Sequence, residues 1–402
     1  MDFSRGVCYN AESGGHRPIF LKQRDRMNKK DIAEIKRRLN LEHHNITCIR
    51  GCYVNKQGEI ISSFSRSLEG MPQEEAEKYL ALFRRALSGT QGQNLLDVEF
   101  TPQQVMDSPE HRLLTALKDT ALRDDETVEA FFQQIISHVQ SQEHYLILLM
   151  HDGYDLPRRT GPEGRADAEM STEVFHYVLC CVCPVKLTKP TLRYDADRND
   201  FCSREADWIV GAPEMGFLFP AFEERAANLY QALYYTRDTA QNHEDFVEAV
   251  FQSPLPPPAD TQTELFHAIL QETLEEDCSL EVLQAMHDQV ISRLEEQKTD
   301  KQAEPLKMSR FDVQDVLEEC GVKPERVAAF ADKYGETFGD QARISAVNIA
   351  NPKQFSLSTP QVQIRIQSDR TDLVETRIID GHAYILIRAD EGVEVNGVSV
   401  TL

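Results

Sequence analysis

Apolar residues change their spacing several times along this chain of 402 residues, and each change marks a different element. Ile32, Ile35 and Leu39 recur three and four apart behind Asn28, a residue suited to an N-cap, so 28–39 is expected to be a helix with one buried stripe. Segments 47–54 and 59–64 are β-rich and flank Asn55-Lys56-Gln57-Gly58, the makings of a hairpin. Over 72–88 the helical spacing returns in Ala76, Tyr79, Leu80, Phe83 and Leu87, with Pro72 placed for a first turn. Two more helical patterns cover 111–122 and 127–140.

The period then disappears. Residues 145–150 and 173–183 are of strand length and nearly all apolar, as expected of strands buried on both faces. Between them, 152–172 is polar and carries Gly153, Gly161, Pro162 and Gly164, which predicts a mobile loop. From Trp208 a short apolar strand and a turn lead into a predicted helix with Ala226, Leu229, Tyr230, Leu233 and Tyr234 on one face. Pro256 to Pro258 favour an extended spacer over 253–260. Two acidic amphipathic helices follow, near 261–276 and 279–297, before a polar stretch at 298–308. Segments 311–320 and 324–334 form an αα-hairpin, turned at Gly321 and restarted at Pro324. The end of the chain is strand-rich, with Asp380-Gly381 and Asn396-Gly397 suited to two-residue type I′ turns.

These patterns predict an α+β fold: multidomain, with helices mixed among mostly antiparallel sheets and a C-terminal αα-hairpin followed by a β-rich module. The length supports several units, because single hydrophobic cores stop growing near ~250–300 residues. The expected divisions are a disordered tail or over-extended start at 1–26, an α+β domain at 27–252, a Pro-rich linker at 253–260, an acidic helical pair at 261–297, a linker at 298–308 and a C-terminal domain at 309–402. Met27, just before the first periodic segment, competes with Met1 as the start.

Charge narrows the function classes. There are 66 acidic against 43 basic residues, a net charge of −23, which repels phosphate backbones at long range and makes nucleic acid an unfavoured partner. The best basic face is Lys29, Lys30, Lys36, Arg37 and Arg38, partly offset by Asp31 and Glu34. No apolar run has the ~18–20 residues that cross a bilayer, and 1–26 has no apolar core of a secretory signal, so the expected location is the cytoplasm and no membrane partner is expected. Nine cysteines, an odd number, read as free thiols.

Few residues point to chemistry. His151, Asp152 and Asp155 in the run HDGYD leave the end of a buried strand, and with His176 they could hold a metal for a hydrolase or nuclease-like reaction. Polar residues also begin any loop leaving a buried strand. Cys180, Cys181 and Cys183, with Cys202 downstream, suggest zinc, but strand alternation separates Cys180 from Cys181 and Cys183, so core packing fits them better. The hairpin at 309–336 has the outline of a nucleic-acid reader, yet Lys323, Arg326 and Lys333 are balanced by Glu325, Asp332 and Glu336. The aromatic run from Phe217 to Tyr235 reads as core. No phosphate-binding loop, dinucleotide fingerprint, H-E-x-x-H or G-x-S-x-G occurs, and no cofactor is predicted. The leading expectation is a binding or scaffolding protein without catalytic activity, meeting a protein partner through the acidic helices at 261–297. The alternatives are the metal-dependent enzyme and a regulator acting through 309–336.

Four stretches, MNKKDIAEIKRRLN at 27–40, GFLFPAFEERAANLYQALYYTRD at 216–238, CGVKPERVAAFADKYGETFG at 320–339 and DRTDLVETRIIDGHAYILIRADEGVEVNGV at 369–398, resemble an uncharacterised bacterial family catalogued as domain of unknown function 4317, with the likeness running over 27–400. The resemblance implies a bacterial cytoplasmic protein of about this length and carries over no activity and no site residue.

Overall fold

The computed structural model describes residues 27–42, 44–46, 48–155, 174–223, 226–299, 304–390 and 392–401; the tail expected at 1–26 and most of the loop expected at 152–172 lie outside these. Helix α1 (Lys29–Arg38) begins where predicted: Asn28 Oδ1 accepts from the amides of Lys30 and Asp31, and Asp31 returns a bond from the Asn28 amide. The hairpin β1 (Ile49–Val54) and β2 (Ile60–Arg66) follows, then α2 (Gln73–Arg85), β3 (Leu95–Glu99), α3 (Pro102–Asp107), α4 (Pro109–Asp119) and α5 (Asp125–His138). Two long strands, β4 (His144–Asp155) and β5 (Val174–Leu187), pair antiparallel from His144↔Val185 to Asp155↔Val174. Strand β4 runs through the first four residues of the expected loop.

After the β6 (Thr191–Asp195) and β7 (Asp200–Arg204) hairpin come β8 (Trp208–Val210), β9 (Met215–Phe219), β10 (Ala221–Glu223), β11 (Ala226–Asn228), β12 (Gln231–Thr236) and α6 (Glu244–Phe251). The principal sheet has the order β2-β1-β4-β5-β9-β12-β3, with β8 beside β5, and every pairing in it is antiparallel. Helices cover both faces. Leu146, Leu148 and Met150 of β4 pack with the stripes of α1 and α2, while Ile147 and Leu149 pack with α4, α5 and α6.

The helix expected beyond residue 226 is instead β11 and β12, and this is a correction to the sequence reading. All six residues of β12 are buried because β9 and β3 flank it and helices lie above and below. Ala232 and Tyr234 enter one face and Leu233 and Tyr235 the other, so no polar alternation betrays the strand.

Helices α7 (Ala259–Leu274) and α8 (Leu280–Thr299) lead to β13 (Lys307–Ser309), α9 (Arg310–Glu319), α10 (Pro324–Phe338), β14 (Arg343–Ser345) and the single turn α11 (Ala346–Ile349). Phe266 and Leu270 of α7 and Val290 and Leu294 of α8 share one cluster with Val316, Leu317, Phe330 and Tyr334. The apolar stripe read at 261–297 is therefore covered by α9 and α10. Gly321 (φ +80°) turns between those two helices, and Pro324 opens the second.

Three hairpins finish the chain: β15 (Gln354–Ser358) with β16 (Gln363–Gln367), β17 (Val374–Ile379) with β18 (His382–Ile387), and β19 (Val393–Val395) with β20 (Val398–Val400). The turns Asp380-Gly381 and Asn396-Gly397 have positive φ at both residues, as their chemistry predicts. Among the described residues, no helix is long and apolar enough to cross a membrane.

Candidate functional site

The HDGYD segment is the end of β4, and alternation sends its side chains to opposite faces. Asp152 turns toward α1 and is wholly buried. Its Oδ2 accepts from Arg38 Nε (3.0 Å) and the Tyr177 hydroxyl (2.8 Å), and its Oδ1 from Arg38 Nη2 (3.3 Å) and the Asn45 amide (2.7 Å). Asn45 Nδ2 also donates to the Gly153 carbonyl (2.7 Å), so the 44–46 segment is tied to the same strand end. Burial alone would lower the Arg38 pKa, but the Asp152 carboxylate more than offsets that and raises it. The Arg38 guanidinium lies over the Tyr154 ring at 4.3 Å, and the Tyr154 hydroxyl donates to Glu34 (2.6 Å). A carboxylate engaged on both oxygens holds α1 against the sheet; it offers no lone pair to a substrate.

His151 projects to the other face, where its ring stacks on that of exposed His176 (5.3 Å between centroids, 18° between planes). Burial, then the neighbouring His176, push its pKa down to about 4, so the ring is neutral, and its buried Nε2 has no hydrogen-bond partner among the described residues. Asp155 is exposed. Cys181 and Cys183 are buried on the α1–α2 face, 4.0 Å apart at sulfur, while Cys180 packs on the other. Across the described residues, no three His, Cys, Asp or Glu side chains gather as a metal set.

Several of the basic residues noted in the sequence are held by partners in the chain. Lys36 donates to Ser88 Oγ (2.6 Å) and Arg38 serves Asp152. On α10, Lys323 pairs with Asp277, Arg326 with Glu275, and Lys333 with Glu272 and Glu336. Lys36 and Arg38 of the basic face, and all three cations of α10, are thus engaged within the chain.

A hollow lies elsewhere, along the seam between the sheet unit and the helices. A cleft of about 970 Å³ opens between α7, α8, α11 and β15, with Leu270, Leu283, Met286, Ile349, Phe355 and Leu357 among its walls. No lysine or arginine lines it among the described residues. His287 stands at its edge, held by Ser368 Oγ (3.1 Å) and edge-on to Phe355 (5.0 Å). The seam is fixed by Asn348, whose Nδ2 donates to the Gly92 carbonyl and to Gln262 Oε1 (both 3.1 Å), and by an ion pair of Lys307 with Asp97 (3.4 Å). Sequence reasoning singled out none of the apolar wall residues, because they come from four separate elements. The one local signal is Asn348, a polar residue in the short apolar run AVNIA at 346–350.

Fold and site together define an α+β protein with an antiparallel sheet covered by helices on both faces and an amphipathic cleft beside it. The chain belongs to the family described as domain of unknown function 4317, whose model matches residues 27–398. No curated protein and no solved structure matches it.

Proposed function

We propose that this is a binding protein without catalytic activity and that its ligand seat is the cleft between α7, α8, α11 and β15. The observation carrying this reading is where the polar groups are committed: Asp152 engages Arg38, Asn45 and Tyr177 on both oxygens, whereas the cleft of about 970 Å³ remains open. Pockets of about 300–1,000 Å³ with apolar walls and a few polar groups are the usual seats of small ligands. The partner-binding face expected on 261–297 becomes, in this reading, the cleft side of the two helices, since their apolar stripe is occupied by α9 and α10. The chain divides at 253–260: Leu255 still packs with the sheet's core, and Phe266 belongs to the next cluster. Cytoplasmic residence is part of the proposal and is supported by the free thiols of the described cysteines.

The test is a thermal-shift screen of small molecules against the wild type and Gln271→Trp. Gln271 is exposed on α7 and lines the cleft, so tryptophan there fills it without entering the core. Compounds that stabilise the wild type and not the variant support the reading; stabilisation indifferent to the variant sinks it.

One observation favours the metal-dependent hydrolase instead: His151 Nε2 is buried beside His176 with no hydrogen-bond partner among the described residues. Elemental analysis of the purified chain and of His151→Ala decides between them, and a stoichiometric metal lost in the variant would establish this second reading.

A further inference from the structure

Lys29, Lys30 and Arg37 of α1 line a second cavity of about 530 Å³, closed by the 90–91 loop, the end of α8, residues 304–306 and the start of α11. In a chain of net charge −23, a cavity whose charged lining is three cations against the single acid Glu304 reverses the average composition. None of the three cations makes an ion pair among the described residues; Arg37 Nε donates only to the Ala33 carbonyl of its own helix (3.2 Å). Lys29 and Lys30 occupy the first two positions of α1, where the helix dipole disfavours positive charge, so helix stability does not account for them.

The neutral lining points the same way. Gln91 is 7% exposed; its Nε2 donates to the Met27 carbonyl (2.8 Å), which fixes the orientation of the amide. Gln91 Oε1 is then left buried, with no donor reaching it among the described residues. Thr90, Gln297 and Ser345 add hydrogen-bonding side chains to the walls.

We propose that this cavity binds a small phosphorylated molecule bearing hydroxyl groups. The phosphate faces Lys29, Lys30 and Arg37, and a hydroxyl supplies the donor that Gln91 Oε1 lacks. The volume suits a small molecule, and the acidic surroundings repel an extended polyanion at long range. The site does not depend on the neighbouring cleft, although Val347 lines both.

The experiment is calorimetric titration of the full chain with inorganic phosphate, pyrophosphate and ribose 5-phosphate at fixed ionic strength, repeated on Lys30→Gln/Arg37→Gln. Both replaced side chains are exposed, and an unchanged melting temperature without phosphate confirms that the variant folds. The expected result is one saturable site per chain, ribose 5-phosphate tighter than inorganic phosphate, and at least about tenfold weaker binding in the variant, a change of about 1.4 kcal/mol. Absence of saturable binding by all three probes, or binding equal in the variant, overturns the proposal. A single-stranded oligonucleotide that binds through the same two residues more tightly than pyrophosphate, with steep salt dependence, also overturns it and assigns these cations to nucleic acid.

Discussion

Arg38 and Asp152 meet as a fork on a carboxylate, Nε to Oδ2 at 3.0 Å and Nη2 to Oδ1 at 3.3 Å, with the Asp152 side chain wholly buried and that of Arg38 14% exposed. Removing the acid strands a guanidinium that has left most of its water. Asp152→Ala is expected to cost about 3–5 kcal/mol, the range for breaking a buried pair from one side, measured as a lower urea midpoint. Arg38→Lys keeps the charge and loses the fork, so a fall in stability there too identifies geometry as the contribution. Unchanged midpoints in both would remove the network from the account of how α1 is held.

His151 gives the protein a defined acid sensitivity. Its folded pKa, about 4, lies below the ordinary 6.5, first through burial and then through His176, with Lys118 and Arg123 adding and Asp152 opposing. The unfolded chain therefore takes up the proton first as pH falls. Stability from this residue is complete above pH 6.5 and drains away toward pH 4, by at most roughly 3.4 kcal/mol at 1.36 kcal/mol per pH unit. In His151→Gln the curve of stability against pH is expected to flatten within that window while other acid terms persist. An identical slope in wild type and variant contradicts the assignment.

The cysteines divide by exposure. Burial pushes the Cys180 and Cys181 thiols well above their usual pKa, and Cys183 is equally hidden. Native protein treated with a thiol reagent is expected to modify the partly exposed Cys48, Cys202, Cys278 and Cys320 before Cys180, Cys181 and Cys183, as peptide mapping would show. Early labelling of the β5 cysteines would mean that the sheet opens there.

Gly92 has φ +80°, and a Cβ on it would fall 2.5 Å from Ser345 Oγ. Gly92→Ala is expected to cost about 1–3 kcal/mol, combining left-handed strain with that clash. Ser345→Gly in the double variant relieves only the clash, so a favourable coupling in the mutant cycle reports direct contact across the seam. Strict additivity would place the two residues apart.

How legible was this in the sequence? Helix α1 was readable because its cap, Asn28, and its apolar stripe are both local. The hairpins at 374–387 and 393–400 were readable from Asp-Gly and Asn-Gly. Strand β12 was misread because burial on both faces removes the alternation that identifies a strand, leaving Leu233 and Tyr234 to mimic a helical face. Strand β3 escaped notice as five residues at the sheet's edge. At the candidate site, Asp152 stood out but its partner Arg38 lies 114 positions away, a separation no local pattern spans.

The same Asp152 does something that apolar residues cannot do for β4. A strand coated by helices on both sides can slide one step along its neighbour and still bury hydrophobic groups on either face. Such a slip would thrust this carboxylate among Phe131, Ile135 and Phe217, and would point the neutral His151 ring at Arg38. A one-step slip therefore leaves a charge stranded on each side of the sheet. The polar end of β4 thus acts as an index mark, selecting a single alignment for the longest pair of strands in the sheet.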